Sequence, residues 1–179
     1  MAQGFALWLT GLPGSGKSTL AESIARTLHR RNISCQVLDS NDWRKILTPQ
    51  PTYSPEERDW FYDVFAHIGA VLTQNKVNVL FVATANRRNY RYRARLRIPR
   101  FAEVYVECPL EVCRQRDPKG LYARAAQGLA SGVPGFDAPY EAPLAPEIIV
   151  NTAELPLDVS ARRVVGQLRR LSFSASLAH

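Results

Sequence analysis

Apolar residues fall into two alternating patterns along the chain. Short, nearly continuous runs occur at residues 5–10, 35–38, 77–83, 102–106 and 148–150. Each has strand length and stops at a polar or small residue, the signature of strands buried on both faces. Between them the period is helical. Leu20, Ile24 and Leu28 recur every fourth residue with Arg26, His29 and Arg30 in between, which predicts an amphipathic helix. Trp60, Phe61, Val64, Phe65, Ile68, Val71 and Leu72 predict a longer one. Its start is Ser54-Pro55-Glu56-Glu57: a capping serine, a proline at the first position, and Glu57 to complete a capping box. Short helices are predicted over 110–116 and 119–127, and a closing helix over 159–171. Pro, Gly and acidic residues crowd 132–146, which predicts a long ordered loop. The tail at 172–179 is expected to fray.

Strands alternating with helices imply a three-layer α/β fold, with a mostly parallel five-stranded sheet and helices on both faces. A chain of 179 residues suits a single domain, here 1–171. In such sheets ligands bind beyond the carboxyl ends of the strands. Gly11, Asp39, Thr84 and Glu107 each follow a predicted strand, so they are expected on one rim.

Composition narrows the class. An apolar fraction of 46% and a charged fraction of 22% fit an ordinary soluble protein. No apolar run approaches the roughly 20 residues that span a bilayer, and no basic leader precedes the first strand, so a membrane role is not expected. The three cysteines have neither disulfide-framework nor metal-ligand spacing, and a reducing cytoplasm is the expected setting. Lys and Arg number 23 against 16 Asp and Glu, a net charge of +7. That excess favours anionic partners without choosing among nucleotides, nucleic acid and membrane surfaces.

Gly11-Leu12-Pro13-Gly14-Ser15-Gly16-Lys17-Ser18 makes the choice. It matches the eight-residue P-loop pattern, with a strand before it and a helix after it. The glycines permit unusual backbone angles and close approach to phosphate. Loop amides and the helix N-terminus point at the anion. Lys17 is expected to reach the terminal phosphates and the Ser18 hydroxyl to ligate Mg²⁺. A glycine-rich turn that merely ends a strand would need neither the lysine nor the helix. The motif does not separate a kinase from a hydrolysing switch protein.

The later segments do. Pro109-Leu110-Glu111-Val112-Cys113-Arg114-Gln115-Arg116-Asp117-Pro118-Lys119-Gly120-Leu121-Tyr122 resembles the lid of the adenylyl-sulfate kinase (APS kinase) family. Gly135-Phe136-Asp137-Ala138-Pro139-Tyr140-Glu141-Ala142-Pro143 resembles another of its segments. So do Leu38-Asp39-Ser40-Asn41-Asp42-Trp43-Arg44 and Tyr53-Ser54-Pro55-Glu56-Glu57-Arg58, and the similarity runs over residues 5–171. The resemblance implies a P-loop nucleotide-kinase fold with a mobile lid. It also implies transfer of the ATP γ-phosphoryl group to the 3′-hydroxyl of adenylyl sulfate, giving PAPS in sulfate assimilation. ATP and Mg²⁺ would lie on Gly11, Gly14, Ser15, Gly16, Lys17, Ser18 and Thr19, with Arg116 by the ATP base. Ser18 and Asp39 would hold the metal; Lys17, Asp39 and Lys119 would be catalytic. Asp39, Arg44, Tyr53, Arg58, Phe61, Ala85, Arg88, Lys119, Gly120, Leu121 and Val133 would face the acceptor. A homodimer and an association with an ATP sulfurylase are implied as well.

The departures from the family pattern cluster on the acceptor side. Its Asp-Gly-Asp reads Asp39-Ser40-Asn41, and an amide at Asn41 cannot act as a base. Phe61 stands where the family has a substrate-facing amide. Ile-Ser-Pro reads Thr84-Ala85-Asn86, and an expected adenine-stacking phenylalanine is Val133. Two alternatives therefore stand beside APS phosphorylation: a kinase for another anionic or nucleotide-like acceptor, and a weakly active nucleotide-binding regulator. Residues 86–100 carry seven arginines interleaved with Tyr90 and Tyr92. A solvated helix face is expected there rather than nucleic-acid binding, with Arg88 facing the site by resemblance. Cys108 and Cys113 are expected to be packed thiols.

Overall fold

Successive residues of a strand point to opposite faces, and this sets the layers. The computed structural model describes residues 3–173. In it, β1 (Ala6–Thr10) sends Leu7 and Leu9 to one side and Ala6 and Trp8 to the other. The first side is covered by α1 (Lys17–His29) and α7 (Leu157–Arg170), through Leu20, Ile24, Leu28, Val164 and Leu168. The second is covered by α3 (Pro55–Gln74) and α4 (Arg88–Arg97). There Trp8 stacks on Phe81 at 4.6 Å and meets Phe65 edge-on at 5.9 Å. Burying a Phe-sized side chain contributes about 1.5–3 kcal/mol, so the aromatic stripe rather than helix propensity holds α3 to the sheet.

β2 (Cys35–Asp39), β3 (Asn78–Val82), β4 (Phe101–Glu107) and β5 (Ile148–Asn151) complete an all-parallel sheet in the order β2-β3-β1-β4-β5. Leu9 lies opposite Val82 on one side and Val104 on the other. The chain order therefore reverses at β1, and a crevice opens at its carboxyl end. The loop that follows β1 occupies it. α5 (Leu110–Arg116) and α6 (Leu121–Ala126) lie over this rim and share a small core of Cys108, Cys113, Tyr122, Ala125 and Val133.

The predicted strands agree with the observed ones to within about two residues. One helix was not legible. α2 (Ser40–Leu47) is mostly polar and has too short an apolar face to show a period. Its start is set by Asp39, whose carboxylate accepts the Asn41 N–H at 2.8 Å. Its packing comes from Trp43 and Leu47 against the α3 cluster. The capping box also differs. Ser54 Oγ accepts the Glu57 N–H at 3.2 Å as expected, but the Glu57 carboxylate reaches further back, to Thr52 N–H and Oγ and to Arg44. The loop over 132–146 is ordered: Asp137 accepts the N–H groups of Gly132 and Val133, and Pro134 bridges Ala138. Of the tail expected to fray, Phe173 stacks on Phe5 at 6.0 Å, and Arg100 donates to its carbonyl. Residues 174–179 lie outside the described part.

The arginine-rich stretch is not the solvated face expected. Arg91 is 1% exposed and bonds Glu103 at 2.6 Å, Glu141 O at 2.7 Å and Ala85 O. Arg93 pairs with Asp59, Arg95 with Glu147 and Arg97 with Asp63. These arginines tie α4 to α3, β4 and the 139–147 segment. Sequence distances of 30 residues or more separate most of the partners, so periodicity could not reveal them. Exposed arginines also lie on and just after α1 and along α7, at Arg26, Arg30, Arg31, Arg162, Arg163, Arg169 and Arg170, with further exposed cations at Lys45, Lys76, Arg87, Arg114, Lys119 and Arg124.

Candidate active site

The loop after β1 is shaped by contacts that only glycine allows. Gly14 has φ +78°, and a Cβ there would lie 2.7 Å from the Cys113 carbonyl of α5. Gly16 caps α1 at φ +89°. Apart from the Ser15 N–H, which donates to Leu12 O at 3.1 Å, the loop turns its amides and the first turn of α1 toward the position of an anion. Lys17 is buried; its Nζ donates to Gly11 O at 2.9 Å and Leu12 O at 2.7 Å. Burial above all brings its pKa down to about 8, with the nearby Lys119 acting the same way and Cys113 and Asp39 opposing. Lys17 is thus a partly desolvated cation held inside a cradle of amides, ready to exchange loop carbonyls for phosphate oxygens.

Ser18 Oγ donates to Asp39 Oδ2 at 2.9 Å, joining the start of α1 to the end of β2. The other oxygen of Asp39 accepts from both the backbone N–H and the side-chain amide of Asn41, each at 2.8 Å. Where a second acid was expected, an amide therefore fixes the first. A hydroxyl and a carboxylate at this spacing suit Mg²⁺, which takes few protein ligands and completes its shell with water and phosphate oxygens. Among the described residues no group of three or more His, Cys, Asp or Glu side chains is placed to hold a metal ion. Thr19 is exposed beside Ser18 at the helix start.

The lid elements close the ATP side. Tyr122 donates its hydroxyl to Pro13 O at 3.0 Å. Arg116 spans to Thr152, donating to its carbonyl at 2.8 Å and its hydroxyl at 3.3 Å. Thr152 in turn donates to Ser15 O at 2.8 Å. The sequence offered one clue to Thr152, its place just past β5 on the shared rim. Asp117 caps α6 through the N–H groups of Leu121 and Ala123, and Gly120 turns the chain there at φ +61°. Lys119 is exposed on that turn. Burial drives the Cys113 thiol up to about 12, which fits a packed thiol.

The acceptor side is a column of alternating rings and guanidiniums. The Arg44 guanidinium sits 3.9 Å from the Phe61 centroid and 5.0 Å from that of Tyr53, and its Nη1 donates to Glu57 at 3.1 Å. Arg58 lies 5.4 Å from the same Tyr53 ring. It donates to Tyr53 O at 2.9 Å, Asn86 Oδ1 at 3.3 Å and Gly132 O at 2.9 Å. Tyr53 is held at φ +55° with its ring half exposed.

Three residues expected to line the acceptor pocket are instead in cores. Phe61 is 0% exposed and stacks on Phe65, so it supports Arg44 from beneath. Ala85 is fully buried, donating its N–H to Tyr62. Val133 belongs to the lid core, because Asp137 pulls the backbone of 132–133 inward. Arg88 is exposed and donates to Glu141 and Ala142 rather than extending freely. Glu57 is a polar group that sequence reasoning placed only at the helix start, and Asn86 one it noted here only as a departure from the family pattern.

The glycine loop, the Ser18–Asp39 pair and the arginine column lie along one rim. A family model described as adenylylsulphate kinase matches residues 3–151. The chain belongs to that family. An adenylyl-sulfate kinase of Gloeothece citriformis is 39% identical over 171 residues, covering 96% of this chain and 97% of that one. The Mycobacterium tuberculosis APS kinase CysC, solved in complex with AMPPNP and APS, superposes with a TM-score of 0.89 at 32% identity. That match covers 94% of this chain and 99% of CysC. A longer Sorangium cellulosum protein named for a bifunctional SAT/APS kinase is 33% identical over 170 residues, 95% of this chain and 29% of its own length. Membership fixes the chemistry as phosphoryl transfer by a P-loop kinase. Among the described residues no helix of this APS-kinase-family chain is long and apolar enough to cross a membrane.

Proposed function

We propose that this chain transfers the γ-phosphoryl group of ATP to the 3′-hydroxyl of adenylyl sulfate, giving PAPS and ADP in sulfate assimilation. The observation that carries the reading is the Ser18–Asp39 hydrogen bond of 2.9 Å. It joins the phosphate-binding loop to the acid expected at the accepting hydroxyl.

Phosphoryl transfer needs positioning and charge neutralisation more than covalent chemistry from the protein. Lys17 gives up the carbonyls of Gly11 and Leu12 and pairs with the β- and γ-phosphates, while the amides of 14–19 hold the rest of the triphosphate. Ser18 and Asp39 would hold the Mg²⁺ carried with ATP, which would supply charge neutralisation at the phosphate oxygens. Asp39, fixed by Asn41, orients the acceptor hydroxyl and draws on its proton. Arg116 packs by the ATP base. Lys119, with Gly120 and Leu121, closes from the lid and excludes water that would hydrolyse ATP. Arg44 and Arg58 bind the phosphosulfate, whose tetrahedral oxygens match the guanidinium fork. Tyr53 packs on the acceptor adenine, and Arg88 supports the rim.

The chain works in the cytoplasm, as a homodimer and beside an ATP sulfurylase. The half-exposed Trp60 and Tyr92 on α3 and α4 support the first association. The Sorangium relative, whose name joins SAT and APS kinase in one chain, supports the second.

Incubating the protein with Mg-ATP and adenylyl sulfate tests the assignment. PAPS and ADP should appear in equal amounts. ADP formed only with a different anionic acceptor would show that the altered residues have moved specificity.

A further inference from the structure

Residues 132–142 form a strap across the acceptor side, and its two ends are tied by different atoms. At one end Gly132 O accepts from Arg58 Nη2 at 2.9 Å. At the other, Pro139 O accepts from Asn86 Nδ2 at 3.1 Å, and Glu141 N–H donates to Asn86 O at 2.8 Å. Arg58 Nη1 closes the circuit by donating to Asn86 Oδ1 at 3.3 Å. Asn86 is 6% exposed, so these bonds form with little competition from water. An amide offers a donor and an acceptor on one planar group, and both are used here.

None of these atoms touches the ATP side. There the ties run from Lys17 to Gly11 and Leu12, from Tyr122 to Pro13 and from Thr152 to Ser15. Asn86 therefore ties the strap and the Arg58 guanidinium together with no bond of its own to the phosphate loop, which the strap meets where Gly135 packs on Leu12 and where the Tyr140 hydroxyl lies 3.0 Å from Thr10 Oγ.

We propose that Asn86 is a positioning residue for the acceptor nucleotide, holding Arg58 and both ends of the 132–142 strap in one arrangement. This rests on the assignment of Arg58 to acceptor binding. The side chain acts through its neighbours and needs no contact with substrate.

Two variants separate its bonds. Asn86→Ala removes both. Asn86→Asp keeps an oxygen for Arg58 but replaces the donor to Pro139 O with an acceptor. Amide hydrogen exchange over 132–142, measured without nucleotide, is compared with KM for adenylyl sulfate and KM for ATP. A buried hydrogen bond is worth about a tenfold change in an equilibrium. Asn86→Ala should therefore speed exchange in 132–142 about tenfold while 11–19 stay unchanged. It should raise the acceptor KM by about the same factor and leave the ATP KM within about twofold. Asn86→Asp should speed exchange similarly but raise the acceptor KM less, because Arg58 keeps its partner. Unchanged exchange in both variants, or both KM values rising together, overturns the proposal. A wild-type protein that makes no PAPS overturns the assigned reaction instead. The exchange comparison needs no acceptor and still decides the role of Asn86.

Discussion

Around residues 11–18 the groups proposed to meet phosphate are backbone amides and one buried lysine. Around Arg44 and Arg58 they are long guanidinium side chains already engaged with Glu57, Asn86 and Gly132. The two ends of the site are thus built on different principles. The ATP end is local: its glycines, its lysine and the start of the helix it caps sit within residues 11–18, and a change of one glycine meets the backbone of α5. The acceptor end is distributed: Arg58 reaches partners 28 and 74 residues away, and Arg44 a partner 13 away. A local loop admits little variation. A distributed network admits substitutions as long as each guanidinium finds another acceptor, and the departures from the family pattern at Phe61 and Asn86 fall in it.

The contrast can be broken most forcefully at Lys17. Lys17→Ala should reduce kcat for PAPS formation on the order of 10²–10³-fold, the scale of losing one preorganised charge in a dry site. Retained turnover would mean that the loop amides alone suffice. Arg44→Lys is a gentler probe of the other end. A lysine keeps the charge but loses the fork and the flat stacking on Phe61, so KM for adenylyl sulfate should rise about tenfold with KM for ATP unchanged. Equal effects on both substrates would dissolve the division between the two ends. The smallest effect is in pH. Binding of ATP needs Lys17 charged, and burial lowers its pKa to about 8. The charged form is lost as pH rises through that value, so kcat/KM for ATP should fall about fivefold between pH 8 and pH 9. Acceptor binding through arginines, which stay charged, should remain flat over the same interval.

The same division governs what could be read in advance. The five strands and α1 were legible because buried apolar runs and four-residue spacing are properties of neighbouring residues. α2 was not, because Asp39 starts it and Trp43 and Leu47 pack it against a helix that comes later in the chain. At the site, the glycine loop, Lys17, Ser18 and Asp39 took the positions expected. Phe61, Ala85 and Val133 did not, because whether a side chain faces a pocket or a core depends on what packs over it. The arginines at 91, 93, 95 and 97 teach the same lesson: a run that reads as a charged surface is a set of tethers to acids on other elements.

By itself the sequence determined an α/β fold with a phosphate loop at its first strand. Those features are written in short-range pattern and local backbone freedom. Only the tertiary structure decided that Asn41 steadies Asp39, that Phe61 lies beneath Arg44, and that Asn86 ties Arg58 to the strap. Hydrogen bonds and stacking between distant segments exist only once burial has brought those segments together.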